Sequence, residues 1–349
     1  MALLLGVLAF AIACGMVPVA VSVAQKTGML DRPRGYKAHG RITPYLGGLA
    51  LLVAIVLPLG VLLISVNAAE IAAMIAGGFV LWTLGTADDR WNLRPDVRVV
   101  VTLVVAAGAA AAGLGGSILT NNVLDGVITS VFLLGVVNAY NLMDNMDGAA
   151  LGTAGVTCVV VGAAGAVAGF EALTSIGFIV GAACGGVLMF NFAPAGARIF
   201  LGDGGSMPLG FLVGCLLLLG ADLAGLSGGA ALAGLALGVG LPALDVGLVM
   251  FSRRRGGRPL AEGGRDHLTH RLAAVLGRRR AVWVLIAVQV GIVLVATTTG
   301  ALAEHPAVIA GAAILACAVA LVCVARRLPG SLEAPAMAGA VPARRRDRQ

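Results

Sequence analysis

Asn138, Asn141, Asp144 and Asp147 stand three residues apart in the stretch Asn138-Ala-Tyr-Asn-Leu-Met-Asp-Asn-Met-Asp-Gly148, directly after an apolar run. In a chain with charges on only 12% of its residues, four such side chains need a reason to be there. Each step of three falls about 60° short of a full helical turn, so on a continuous helix they fan over roughly half the cylinder. Convergence on one ligand requires the helix to end among them, and Gly148 offers an ending.

Three more carboxylates have surroundings that suit chemistry. Asp88 and Asp89 are adjacent, and neighbouring carboxylates repel, which raises the pKa of one unless a cation offsets the repulsion. The pair can simply end a helix, with Asp88 and Arg90 as a surface pair. Otherwise, since helical neighbours diverge by about 100°, one faces a metal and phosphates and the other a nucleophile. Asp203 lies among glycines in Gly202-Asp203-Gly204-Gly205-Ser206. It is either a helix N-cap, or a divalent-cation ligand beside a helix start that receives phosphate oxygens. Phe200, three residues earlier, packs or stacks on a base.

Cations and imidazoles form the complement. Arg32 and Arg34 read equally as anchors, whereas Lys37 and His39, just before a Pro/Gly-structured helix entry, suit a phosphate. His267 and His270 stand three apart with Arg265 and Arg271 around them. A zinc protease pair is spaced by four with a Glu between, so zinc fits poorly. Two imidazoles and two guanidiniums suit a sugar-phosphate anion, with a solvated basic helix as the alternative. Leu268, Leu272 and Leu276 give that segment an apolar face, with Gly277 as its stop. Asp245 is an acid within an apolar run, either functional or hydrogen-bonded in the bundle.

The elements that position these groups are membrane helices. The chain has 349 residues, 59% hydrophobic, with a mean hydropathy of +0.98. Apolar runs long enough to cross a ~30 Å hydrocarbon core fall at 2–24, 44–66, 69–87, 98–116, 125–142, 149–169, 172–190, 206–222, 228–251, 281–301 and 306–325. Eleven spans, numbered alternately, put all 24 Lys and Arg on one side, which the positive-inside rule makes cytoplasmic. The expected architecture is therefore all-α and polytopic, with an external N-terminus, a cytoplasmic C-terminus and a first helix retained as an anchor. The net charge of +7 describes topology and attraction to anionic lipid, not nucleic-acid binding. Glu70, Asp125, Glu171, Asp222 and Glu304 fall in short external turns and read as solvated. One domain is expected over 1–330, its cytoplasmic loops at 25–43, 87–98, 143–148, 191–205 and 252–280. Residues 331–349 read as a disordered cytoplasmic tail.

The set Lys37…His39…Pro44-x-x-Gly47-Gly48, Asp88-Asp89, Asn138-x-x-Asn141-x-x-Asp144-x-x-Asp147-Gly148, Phe200-x-Gly202-Asp203-x-Gly205-Ser206 and Arg265-Asp266-His267-x-x-His270 resembles the polyprenyl-phosphate N-acetylhexosamine-1-phosphate transferases (glycosyltransferase family 4) from end to end. The histidine segment and Pro242-Ala-Leu-Asp245 look more like the UDP-N-acetylglucosamine branch than the muramoyl-pentapeptide transferases. Thr269 stands where that branch has another His, which leaves the sugar open; Gly204 for a common Ser is expected to be neutral. The resemblance implies attack of a lipid-carrier phosphate on the β-phosphorus of a UDP-sugar, with release of UMP. It implies Mg²⁺, or Mn²⁺ in its place, on Asp203 and Asn141. Asp88 is then near the metal or the carrier phosphate, and Asp89 is a phosphate-facing partner or base. Asp147 and Phe200 are implied for uracil, Lys37 and His39 for phosphate, and Arg265, His267, His270 and Arg271 for the pyrophosphate and sugar. Asn138 and Asp144 would hold the helix end open around the nucleotide. The implied partners are the UDP-sugar, polyprenyl phosphate and the cell membrane, with the site facing the cytoplasm; a homodimer is left open.

Two rival classes make different demands. A transporter or flippase for an anionic lipid-linked substrate would place its polar groups near the midplane, often with internal repeats; here they gather at one face. A phospholipid-forming transferase would need its own Asp/Gly-rich helical signature, which the sequence lacks.

Overall fold

The computed structural model describes residues 1–301 apart from 32–41, 67, 117, 120, 260–263 and 265. Lys37, His39, Arg265, the span at 306–325 and the tail at 331–349 lie outside the described residues. The rest is a bundle of α-helices with one antiparallel pair of two-residue strands, β1 (Leu30–Asp31) and β2 (Thr43–Pro44). Among the described residues, eight helices are long and apolar enough to cross a membrane: α1 (Ala2–Thr27), α2 (Gly47–Val66), α3 (Ala69–Trp91), α5 (Asn122–Met143), α6 (Ala149–Ala168), α7 (Glu171–Asn191), α8 (Asp203–Leu223) and α12 (Arg278–Ala301). Between α3 and α5, α4 (Pro95–Ala111) is 17 residues long. The chain is a multi-pass, all-α membrane protein, and each of the first ten expected spans falls on a helix or a helix pair.

α8 is the core. Every residue from Gly204 to Leu218 is buried, as expected of a helix that is apolar all round. α2, α3, α5, α6 and α7 pack around it. Lipid tails are as apolar as the helices, so association relies on close packing through small residues. At the head of α8 that contact is backbone on backbone. A Cβ on Gly48 would lie 2.4 Å from Gly204, and one on Gly85 would lie 2.2 Å from the Asp203 carbonyl oxygen.

One expected span is not straight. The run 228–251 breaks at Gly240 (φ 50°, ψ −114°) into α9 (Gly228–Val239) and α10 (Leu241–Arg255), bent by 82°. A break in a membrane exposes backbone groups that need partners. The fully buried Gln289 of α12 supplies them: its Oε1 accepts the Leu241 N–H at 3.0 Å, and its Nε2 donates to Gly238 O at 3.2 Å and Thr157 Oγ1 at 2.9 Å. Asp245 lies on α10, five residues past this break. The solvated reading of Asp125 fails as well, because its carboxylate is buried and accepts the Leu119 N–H at 2.6 Å.

Candidate active site

The cluster starts where α3 stops. Asn92 adopts a left-handed conformation (φ 52°) and closes α3, while the Leu93 N–H donates to Asp88 Oδ1 at 2.6 Å. Pro95 then starts α4, since its fixed φ suits a first helical turn. This tight connection delivers Arg98 back onto Asp88: Nη1 donates to Asp88 Oδ2 at 2.6 Å and lies 3.4 Å from Asp203 Oδ2. Nη2 donates to Asn141 Oδ1 at 2.9 Å. The Asn141 amide completes the ring, with Nδ2 2.9 Å from Asp203 Oδ1 and 3.0 Å from Ser206 Oγ. The Asp88 side chain is 5% exposed, whereas Arg98 and Asp203 keep 26% and 31%, so the cluster opens on the Asp203 side.

Asp89 turns elsewhere, as adjacent residues on a helix must. Its Oδ1 accepts the Asp203 N–H and its Oδ2 the Gly204 N–H, both at 3.1 Å. The first two amides of α8, expected to receive phosphate oxygens, are thus taken by Asp89, which caps the helix that carries Asp203. The segment before Asp203 is pinned as well. Phe200 N–H donates to Pro44 O at 2.8 Å, and the Gly47 and Gly48 N–H groups donate to the carbonyls of Phe200 and Leu201 at 2.9 and 3.0 Å. Gly204 is not a neutral exchange for Ser: a Cβ there would lie 2.4 Å from Thr86 Oγ1.

The four residues at threefold spacing do not converge. α5 ends at Met143, earlier than Gly148, and each residue goes its own way. Asn138 is exposed and donates to Leu134 O of its own helix at 2.8 Å. Asn141 enters the ring. Asp144 caps α5 beside it; burial first, then the carboxylates of Asp203, Asp147 and Asp89, push its carboxyl well above the usual range, against a Gly202 backbone hydrogen bond that lowers it. Asp147 points the other way and pairs with Arg278 at 3.1 Å. The buried Asn191 side chain holds this turn against the loop before α8, accepting from the Gly148 N–H at 2.7 Å and donating to Ile199 O at 3.0 Å.

This cluster lies within the stretch matched by the model for glycosyl transferase family 4, residues 71–221. A decaprenyl-phosphate N-acetylglucosaminephosphotransferase of Mycolicibacterium smegmatis is 30% identical, the match covering 90% of this chain and 86% of its own. The chain belongs to glycosyl transferase family 4. An undecaprenyl-phosphate alpha-N-acetylglucosaminyl 1-phosphate transferase of Escherichia coli strain K12 is 28% identical over 81% of this chain and 78% of its own. Membership of a transferase family sets the transporter reading aside.

The histidine segment of this family member forms α11 (Leu268–Leu276), stopped at Gly277 and packed on α12. His267 is its N-cap. Asp245 of α10 holds both, with Oδ2 2.7 Å from His267 Nδ1 and Oδ1 accepting the Leu268 N–H at 2.5 Å. The His267 and His270 rings meet edge to face at 6.3 Å. Thr269 is buried, and its hydroxyl donates to Asn145 Oδ1, which ties α11 to the turn after α5. Arg271 is buried too, donating to Asp266 O at 3.0 Å and Ser252 Oγ at 3.3 Å. Asp266 and Arg253 form a buried two-point pair at 2.9 and 3.0 Å. Burial raises the Asp266 carboxyl, but the hydrogen bond and charge of Arg253 outweigh it and hold it below its ordinary value.

Sequence reasoning missed Arg98, Asn191 and the Asp266 pair. Arg98 counted among the positive-inside charges, and nothing in its ten-residue separation from Asp88 marks it. The apolar run around Asp245 did mark that residue, though not its partner.

Proposed function

We propose that this chain transfers N-acetylglucosamine 1-phosphate from UDP-N-acetylglucosamine to a polyprenyl phosphate. The observation that carries the reading is the convergence of Asp88, Asn141, Asp144 and Asp203 at one end of an apolar bundle, in a chain whose relatives are named for that transfer. An oxygen of the lipid phosphate attacks the sugar-bearing phosphorus of the UDP-sugar. The bond from that phosphorus to the UMP oxygen breaks, UMP leaves, and the product is a polyprenyl diphosphate sugar for envelope polysaccharide. The lipid phosphate is ionised near neutral pH and needs no strong general base, so the work is positioning and charge neutralisation.

The residues fit a divalent cation. Arg98 meets Asp88 and Asp203 at 2.6 and 3.4 Å, Asp89 accepts the Asp203 N–H, and Asp144 feels the Asp203 carboxylate, so acidic groups gather around Asp203. Among the described residues no group of three or more His, Cys, Asp or Glu is placed to hold a metal ion by itself. Mg²⁺ binds through one or two protein carboxylates and completes its shell with water and substrate phosphates. Asp203 and Asn141 would hold Mg²⁺, or Mn²⁺ in its place, with Asp88 beside them. When bound, the ion neutralises the diphosphate and fixes its orientation. Asp89 sets the position of Asp203 by capping α8. We assign Phe200 and Asp147 to uracil; Lys37 and His39 to phosphate; and Arg265, His267 and His270 to the sugar diphosphate, with Arg271 shaping their loop. The positive-inside distribution of Lys and Arg supports a site on the cytoplasmic face of the cell membrane.

The test is UMP release by purified protein given UDP-N-acetylglucosamine, polyprenyl phosphate and Mg²⁺. Asp203→Ala and Asp88→Ala should leave almost none, and turnover surviving both changes would sink the assignment. A panel of UDP-sugars in the same assay identifies the sugar.

A further inference from the structure

The three arginines of the α3–α4 region have different fates. Arg90 donates to Thr27 O at 3.4 Å, and Arg94 pairs with Asp96 at 2.8 Å on the surface. Both behave as interfacial charges. Arg98 turns inward, and its donors reach Asp88 Oδ2 at 2.6 Å, Asn141 Oδ1 at 2.9 Å and Asp203 Oδ2 at 3.4 Å. Two of these oxygens belong to the residues proposed to hold the cation, and the third stands beside them.

A guanidinium spreads one charge over a planar fork of donors and suits several separated acceptors. A hard divalent ion demands the same oxygens at about 2.0–2.1 Å. Two cations sharing these acceptors at contact distance repel, so joint occupancy is opposed. Without any cation, the carboxylates would repel one another. We infer that Arg98 is the internal counter-ion of this site: it gathers Asp88, Asn141 and Asp203 before metal binds, and it competes with the metal for their oxygens. Arg98 has room to yield, being 26% exposed on a helix whose neighbouring Val97, Val99 and Val100 face outward. Its role sets the metal affinity, which distinguishes it from a positive-inside anchor. The inference rests on the metal use proposed above.

The experiment is Mn²⁺ titration of the purified full chain, followed by electron paramagnetic resonance of the free ion without substrates, for wild type, Asp203→Ala, Arg98→Gln and Arg98→Lys. Asp203→Ala should lose the site. Arg98→Gln should bind about ten- to a hundredfold more tightly than wild type, the factor by which one charge-assisted hydrogen bond moves an equilibrium. Arg98→Lys, which keeps the charge without the fork, should fall between. The metal-free Arg98→Gln protein should melt lower than wild type and gain more from saturating Mn²⁺. If Asp203→Ala binds as wild type does, or if no variant binds, the metal reading itself fails. If Asp203→Ala loses the ion while Arg98→Gln binds equally or more weakly, the metal reading stands and the role of Arg98 is overturned. Arg98→Lys carries the same comparison should Arg98→Gln fail to fold.

Discussion

Asp89→Asn separates a capping carboxylate from a catalytic base. The Asp89 oxygens accept the first two backbone amides of α8 at 3.1 Å each. The asparagine keeps one acceptor and turns an NH₂ toward the other amide, donor against donor. Loss of a helix-capping acceptor costs roughly 0.5–2 kcal/mol, and removing a negative charge from a helix N-terminus adds about 0.3–1 kcal/mol. Asp89 is partly exposed, so the lower half of each range applies, and the expected loss is about 1–2 kcal/mol. Thermal unfolding in detergent should register it as a lower midpoint, and Asp89→Ala should cost slightly more. UMP release should fall through displacement of Asp203, with the pH dependence of turnover unchanged. A base behaves differently: its removal costs about 10²–10⁴ in rate, deletes a limb of the pH profile and leaves stability alone. An Asp89→Asn protein that melts like wild type while losing turnover a thousandfold and that limb would refute the capping account.

Two further outcomes follow from contacts around the same cluster. Gly204→Ser should destabilise by about 1–3 kcal/mol through overpacking, because its Cβ would lie 2.4 Å from Thr86 Oγ1; Thr86→Ala should recover part of the loss in a melting experiment, and no recovery would place the strain elsewhere. Asp144 carries a carboxyl held well above its ordinary value by burial and by Asp203, Asp147 and Asp89. The folded state therefore binds that proton more tightly than the unfolded one, and ionisation erodes stability as pH rises above about 3.9, the unfolded value, toward the raised folded value. Asp144→Asn should raise the melting temperature of metal-free protein at pH 8 and change it little at pH 4.5; equal shifts at both pH values would rule out a charge effect.

Much of this protein is legible in its residues read in order. Spans are legible because a hydrocarbon core demands about 20 apolar residues whatever the fold. The stop of α11 at Gly277 and the apolar face made by Leu268 and Leu272 are equally local. So are the motifs themselves, since Asp88, Asn141, Asp144 and Asp203 announce themselves as polar groups in an apolar chain.

Tertiary structure alone decided what each of those groups touches. Asn138 and Asn141 share a spacing and a residue type, yet a helix turns one outward and the other onto Asp203. Asp88 and Asp89 are neighbours, yet one meets Arg98 and the other the backbone of α8. The break at Gly240 is secured by Gln289, 49 residues later, and Asp245 finds His267 across a loop. Composition and periodicity report the cost of placing a group in a membrane, which is a property of one residue and its near neighbours. Pairing is a property of two chain segments and of the direction in which each backbone aims its side chains. It is settled only when helices distant in sequence pack together, as α2 and α3 do against the glycines at the head of α8.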